Sequence, residues 1–389
     1  MKLKKLLSIS LVALLTVGFT ACSDDDKVDD PVSVIDAKNE AFEKIASSYL
    51  DNTVLPTYEA LAENAAQLAE ELEALQSEKS DENIKKVCET FLTARAWWEK
   101  SEAFLFGPAS DFGIDPHIDS WPLDKTGLQN QMNQSSHLEA MAAEDGDVWA
   151  GSHLGPELLG FHGIEYIIFA DGAPKAASMI PDNELIYAVA VAGDLRNKCW
   201  QLLLSWAGED NVSPEILEKV DEELEWPFTV SGGSYKDNML NAGNAGSTYR
   251  SWTDAMEAIV DGCIDITDEV GTMKIGKPYS GEDVNYIESP YSHKSITDFY
   301  DNMVSVENAY MGGIEGRRNE ARSLHAYFAA ENPDLDKKCT EAIDKAKRSI
   351  AAMAAPFVKN FSDPSAKAAS DACSELADVL TEVKNALSK

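Results

Sequence analysis

Basic residues are scarce in this chain. Its 389 residues hold 33 Lys and Arg against 67 Asp and Glu, a formal net charge of −34. Such a surface repels polyphosphates and anionic headgroups, which sets nucleic-acid binding aside. Cysteine is sparse too: there are six, and none stands in a C-x-x-C pair, so no zinc-ribbon or dithiol redox framework is present. Beyond the N-terminus no stretch reaches the ~20 apolar residues that a spanning helix needs. Convincing alternating strand segments are few. Several catalytic patterns are missing. There is no H-E-x-x-H, and its inverse fails because Tyr166 follows Glu165. A G-x-S-x-G elbow, a P-loop, a dinucleotide fingerprint and the paired E-x-x-H helices of di-iron bundles are absent as well.

The first 21 residues read as a targeting segment. Lys2, Lys4 and Lys5 precede an apolar stretch from Leu6 to Ala21. Phe19-Thr20-Ala21-Cys22 resembles a loose bacterial lipobox with Cys22 as the lipid attachment site. The following Ser23-Asp24-Asp25-Asp26 resembles the acidic export tag of Bacteroidetes-type surface lipoproteins. An ordinary secretory cut near Ala21 is the alternative. Residues 22–33 then form an acidic tether. The expected mature protein is a body lipid-anchored to the outer membrane and exposed at the cell surface. Of the five remaining cysteines an odd one stays free, and they read as small buried hydrophobes with room for one bridge.

The body reads as all-α. Leu61, Ala65, Leu68, Leu72 and Leu75 step by four and three along a helical region at 35–75, which Pro56 kinks or divides. Ser80 or Asp81 caps a helix at 82–105. Residues 106–155 are loop-rich, with a short helix near 128–143. Further helices are expected at 156–170, 182–207, 214–225, 240–270, 295–330, 335–360 and 365–387. Trp226-Pro227 and Ser231-Gly232-Gly233-Ser234 break the pattern near residue 230. The expected architecture is two packed, four-helix-bundle-like domains, 34–230 and 231–389. A distant duplication could relate them, though no residue-level self-similarity carries it.

Two helices break their own patterns. Gly160-Phe161-His162-Gly163-Ile164-Glu165 reads G-x-H-x-x-E inside an otherwise apolar run. His162 and Glu165 share one helical face, and a buried carboxylate requires a partner, a hydrogen bond or a metal. On the helix at 82–105 the stripe of Ile84, Val87, Cys88, Phe91 and Trp98 also contains Arg95 and Glu102. Glu89, Glu99 and Lys100 fall on the other side. Arg95 and Glu102 stand two turns apart, so each needs a partner from elsewhere. Both pairs could be satisfied core residues. The reading with chemical content is one metal ion held by His162, Glu165 and Glu102, with Arg95 neutralising an acid or holding an anion. One imidazole with carboxylates suits iron or another first-row ion, with zinc as the alternative. His117 and Asp119 could also face a site, although a His in such a loop is more often at the surface.

These residues resemble a known family. The G-x-H-x-x-E stretch, Glu102-Ala103-Phe104-Leu105-Phe106-Gly107-Pro108, Pro56-Thr57-Tyr58, and Ser292-His293-Lys294-Ser295-Ile296-Thr297-Asp298 leading to Tyr310-Met311-Gly312 are similar to the imelysin-like (peptidase M75) family. The resemblance spans about residues 40–385. It implies two helical-bundle domains with a site between them, in a bacterial envelope protein linked to iron or haem acquisition. The motif residues carry over to His162, Glu165 and Glu102, with Ser292 nearest the site from the second half. Ser292 could equally cap the helix starting near Ser295.

Two functions are therefore in competition. One is capture of iron, or of an iron-containing ligand, for delivery to an outer-membrane uptake partner. The other is a metal-dependent peptidase, for which no complete zinc motif is present. A surface protein that binds a glycan or a protein, with a merely structural His–Glu pair, is the reading left if no metal binds.

Overall fold

The computed structural model describes residues 31–389. The expected targeting segment, Cys22 and most of the tether lie outside the described residues. Helix α1 (Pro31–Tyr49) is followed by a widened turn at Leu50–Val54 and by α2 (Leu55–Ser77). The division falls where Pro56 demands it. Proline has no N–H to offer the carbonyl four residues back, and its ring crowds that carbonyl. That carbonyl belongs to Asn52, and it accepts instead from Ile314 N at 2.8 Å. A local defect in one helix thus becomes a long-range link.

Helix α3 (Asp81–Glu99) starts as expected, with the Ser80 hydroxyl accepting from Asn83 N at 3.1 Å. It stops earlier than expected. Ser101 donates to the Trp98 carbonyl, and Glu102–Phe104 form a tight turn rather than a last helical turn. The loop-rich region carries five short helices, among them α4 (Asp115–Asp119). Next come α5 (Gly160–Ile168) and the long α6 (Asp182–Ala207). Between them lies a two-residue antiparallel pair, β1 (Phe169–Ala170) with β2 (Ala173–Pro174). The second half contributes α7 (Trp252–Glu269), α8 (Ser295–Met311), α9 (Pro333–Ala351) and α10 (Pro364–Leu387). The long helix expected at 295–330 ends instead at Gly312, whose φ of 87° takes the left-handed conformation that side chains disfavour. The one expected at 335–360 ends before Pro356.

The fold is all-α, built as helical bundles packed on one another. Helices α2, α3, α5 and α6 pack in the first bundle, and α7, α8, α9 and α10 in the second. Residues 39–389 form one compact unit, and the expected break near 230 is a tight turn in which Val230 pairs with Gly233. The Leu61–Leu75 stripe is fully buried, as its spacing predicts. All five cysteines among the described residues are buried and free, so none forms the bridge for which the sequence left room.

The two bundles meet where α8 packs on α3 and α7 packs on the Glu102–Phe104 turn. There Ala103 N donates to Ser305 Oγ at 3.1 Å. Gly262 of α7 lies so close that a Cβ would strike the Ala103 carbonyl. Gly262→Ala should therefore destabilise the protein by about 1–3 kcal/mol, the range for overpacking. A lowered urea midpoint with an unchanged slope would show it.

A buried charge cluster as candidate metal centre

A guanidinium occupies the middle of the seam between the bundles. Arg95 is 2% exposed. It pairs with Glu99 and Glu288, both at 2.5 Å, and with Asp119. Phe161 lies beneath it, 5.3 Å from Cζ to the ring centre. Lys274, 1% exposed, approaches Glu288 at 3.3 Å, Glu102 at 3.7 Å and Glu99 at 3.9 Å. Asn302 of α8 donates to Glu99 Oε2 at 2.6 Å. On the other side of Arg95, His162 Nε2 lies 2.8 Å from Asp119 Oδ1. Its Nδ1 lies 3.7 Å from Glu165 Oε2. Glu165 Oε1 accepts from Tyr291 N at 3.1 Å and from both Ser292 N and Ser292 Oγ at 2.7 Å.

Burial disfavours every charge here, and the balance decides which survive. Burial works against the Asp119 carboxylate, yet Arg95 and His162 outweigh it and hold its pKa well below the usual range. Burial lifts Glu99 and Glu102 well above theirs, against the pull of Arg95 and Lys274. It pushes Asp298, which faces Arg95, Glu288 and Glu165, up to about 7. Burial opposes the charged form of His162 as well, but Asp119 and Glu165 carry its pKa up to about 9. Six buried carboxylates thus face two fixed cations and one imidazole. The surplus negative charge is relieved either by protons or by a bound cation.

Local geometry favours the cation. His162 Nε2 and Asp119 Oδ1 are close, yet Nε2 has no aligned hydrogen bond. Two donors each about 2.1 Å from one ion, at a right angle, lie about 3 Å apart. Glu288 Oε2 is buried and likewise has no hydrogen-bond partner. Asp119, His162 and Glu288 each offer a ligand atom within 4.8 Å of the others. Glu165 fits the carboxylate that sets a ligating imidazole's tautomer from behind, itself locked by the 291–292 backbone. The other Asp119 oxygen accepts from Trp98 Nε1 at 2.8 Å, which fixes its plane. A second set, Glu99, Glu102 and Asp119, meets the same distance criterion. Lys274 stands beside acids of both sets, but the first set brings an imidazole nitrogen to the ion, so it is the better site for a first-row cation.

The residues expected from sequence are placed as follows. His162, Glu165, Arg95 and Ser292 come together. Glu102 does not join His162: it lies beyond the end of α3, faces Lys274, and shares a ligand set with Asp119 instead. In place of Glu102, Asp119 and Glu288 meet the imidazole. Asp119 stands on α4, whose backbone Gly160 lets approach. With φ of 63° at the start of α5, a Cβ on Gly160 would strike the Ile118 carbonyl. The neighbouring His117 is half-buried and faces Asp194 at 3.4 Å. Glu99, expected on the outer side of its helix, is fully buried. Its signal was the four-residue spacing from Arg95. Glu288 and Lys274 carried no local signal.

The imelysin (peptidase M75) family model matches residues 54–383. The chain belongs to this family. It is 26% identical over 324 residues to iron-regulated protein A of Synechococcus elongatus, covering 82% of this chain and 78% of that protein. The crystal structure of a candidate iron-regulated protein A precursor from Parabacteroides distasonis superposes with a TM-score of 0.75 at 28% identity, over 89% of this chain and 95% of the other. An imelysin-like protein from Psychrobacter arcticus shares the fold at 13% identity and a TM-score of 0.57, covering 89% and 93%.

Two outcomes follow for this imelysin-family site. Gly160→Ala should push α4 off α5, lower stability by about 2 kcal/mol or more, and weaken cation binding, read by unfolding and by titration. The second concerns pH. With a folded pKa of about 9 against an ordinary 6.5, protonated His162 stabilises the metal-free fold fully below pH 6.5. That contribution is lost as pH rises through 9. An ion at Nε2 must displace this proton, so the imidazole's part in affinity should grow about tenfold per pH unit below 9 and then level off. Calorimetry from pH 6 to 9 should show the slope in the wild type and lose it in His162→Gln.

Proposed function

We propose that this protein captures a first-row metal cation, iron foremost, at His162, Asp119 and Glu288. In this reading Glu165 and Ser292 orient the imidazole, and Arg95 offsets the charge of the gathered acids. One observation carries it: His162 Nε2, 2.8 Å from Asp119 Oδ1, belongs with Glu288 to a buried group whose ligand atoms lie within 4.8 Å of one another. The mostly oxygen donor set suits a hard or borderline ion. The name iron-regulated protein A, carried by the relatives from Synechococcus and Parabacteroides, supports iron as the cargo. The lipobox-like Cys22 and its acidic followers support display on the outer membrane, with release to an uptake partner there.

The family's peptidase label supplies the competing reading. A hydrolase needs a general base free to accept a proton from bound water. Glu165, the motif acid, has one oxygen taken by three donors, while the other lies 3.7 Å from His162 Nδ1 without a hydrogen bond, so the hydrolytic reading is left to experiment.

The mature chain should be titrated with ferrous, ferric and zinc ions and incubated with unfolded protein substrates. Saturable iron binding is expected, lowered about 10–100-fold by Glu165→Gln and further by His162→Ala, with Glu102→Gln nearly silent. Zinc-dependent cleavage abolished by Glu165→Gln would overturn capture in favour of hydrolysis.

A further inference from the structure

A cavity of about 520 Å³ opens beside the candidate cation site, and His162 forms part of its wall. Its size is that of a small-molecule site. Neither Asp119 nor Glu288 lines it. Of the three candidate ligands, the cavity therefore meets His162. What else lines the cavity decides what could fill it. Trp121, Tyr291 and Phe361 contribute aromatic side chains, and Ile287 an aliphatic one. Lys125 supplies positive charge. Its ammonium lies 5.1 Å over the Tyr291 ring and has no ion-pair partner among the described residues. The lining acid, Asp124, is engaged in accepting from Gly127 N at 3.0 Å, at the start of the helix Lys125–Met132.

The rings are held in place. Trp121 packs on Tyr286 with centres 3.8 Å apart, and Tyr166 meets Tyr291 edge-on at 5.2 Å. Tyr291 N also donates to Glu165 Oε1, so one cavity wall is tied to the carboxylate behind His162. A hydrated ion alone has no use for aromatic walls. An aliphatic polycarboxylate chelate has no ring to stack on them either. A flat ring that carries two adjacent anionic oxygens satisfies all three features: it stacks on the walls, faces the lysine, and presents both donors to the ion.

From these features we infer that the cavity takes a catecholate-class aromatic anion, bound together with the metal as a mixed protein–chelator complex. The inference rests on the cation reading above and adds the co-ligand. The full chain in detergent would be titrated with ferric 2,3-dihydroxybenzoate, with ferric citrate and with ferrous ion alone. Tryptophan quenching and the ferric–catecholate charge-transfer band report binding.

The expected result is binding of the catecholate complex at least about tenfold tighter than the citrate complex. Trp121→Ala and Lys125→Gln should each remove about tenfold of that affinity, read from the charge-transfer band, and Lys125→Gln should leave ferrous binding and the melting temperature unchanged. Equal affinity for the two chelates, or no effect of either substitution, would overturn the inference and leave the cation reading to stand on the ferrous titration. Lys125-dependent binding of the catecholate complex without any ferrous binding would uphold the inference and remove the bare-ion reading. Binding of neither would remove both.

Discussion

One buried guanidinium governs this molecule. Arg95 draws Asp119, Glu99 and Glu288 into the seam between two helical bundles. Without it, acids in a low-dielectric interior would repel one another and take up protons. With it, Asp119 stays ionised beside His162 while its neighbours drift towards neutrality. Arg95 thereby keeps Asp119 charged while burial works against the charged forms of Glu99, Glu102 and Asp298.

The groups around Arg95 come from segments far apart in the chain: α3, α4, α5, the turn at Val270–Lys274, the loop before α8, and α8 itself. No local stretch holds the constellation together, so it exists only when both bundles have docked. Close backbone approaches at Gly160 and Gly262 set the spacing of the segments. The glycine of the G-x-H-x-x-E pattern has a steric reason of its own: it admits the short helix that carries the aspartate.

Much of this was legible before any coordinates. The apolar stripes of α2 and α3 predicted their buried faces, and Pro56 and Ser80 marked helix ends correctly. Arg95 stood out because a charge lay where periodicity demanded core, and His162 and Glu165 stood out for the same reason. Glu102 is buried as its stripe predicted, but the helix was extended six residues past its real end at Glu99, and the side chain meets Lys274 rather than His162. Glu99 was misplaced because a face assignment from one helix knows nothing of a second bundle covering the other side. Glu288 and Lys274 lie in irregular segments with no periodicity to violate. Asp119 was visible as a loop acid beside a histidine, but nothing in the sequence said which of many acids would meet the imidazole.

The five buried thiols have a chemical consequence of their own. Burial pushes Cys88, Cys339 and Cys373 up to about 12, and Cys199 and Cys263 beyond that. All are therefore protonated, and so neither nucleophilic nor ready to give up an electron. An oxidising cargo such as a ferric ion meets no thiolate in this interior that could reduce it, capture it or be cross-linked by it. Under the proposed capture, these five side chains would leave a ferric ion's oxidation state unchanged.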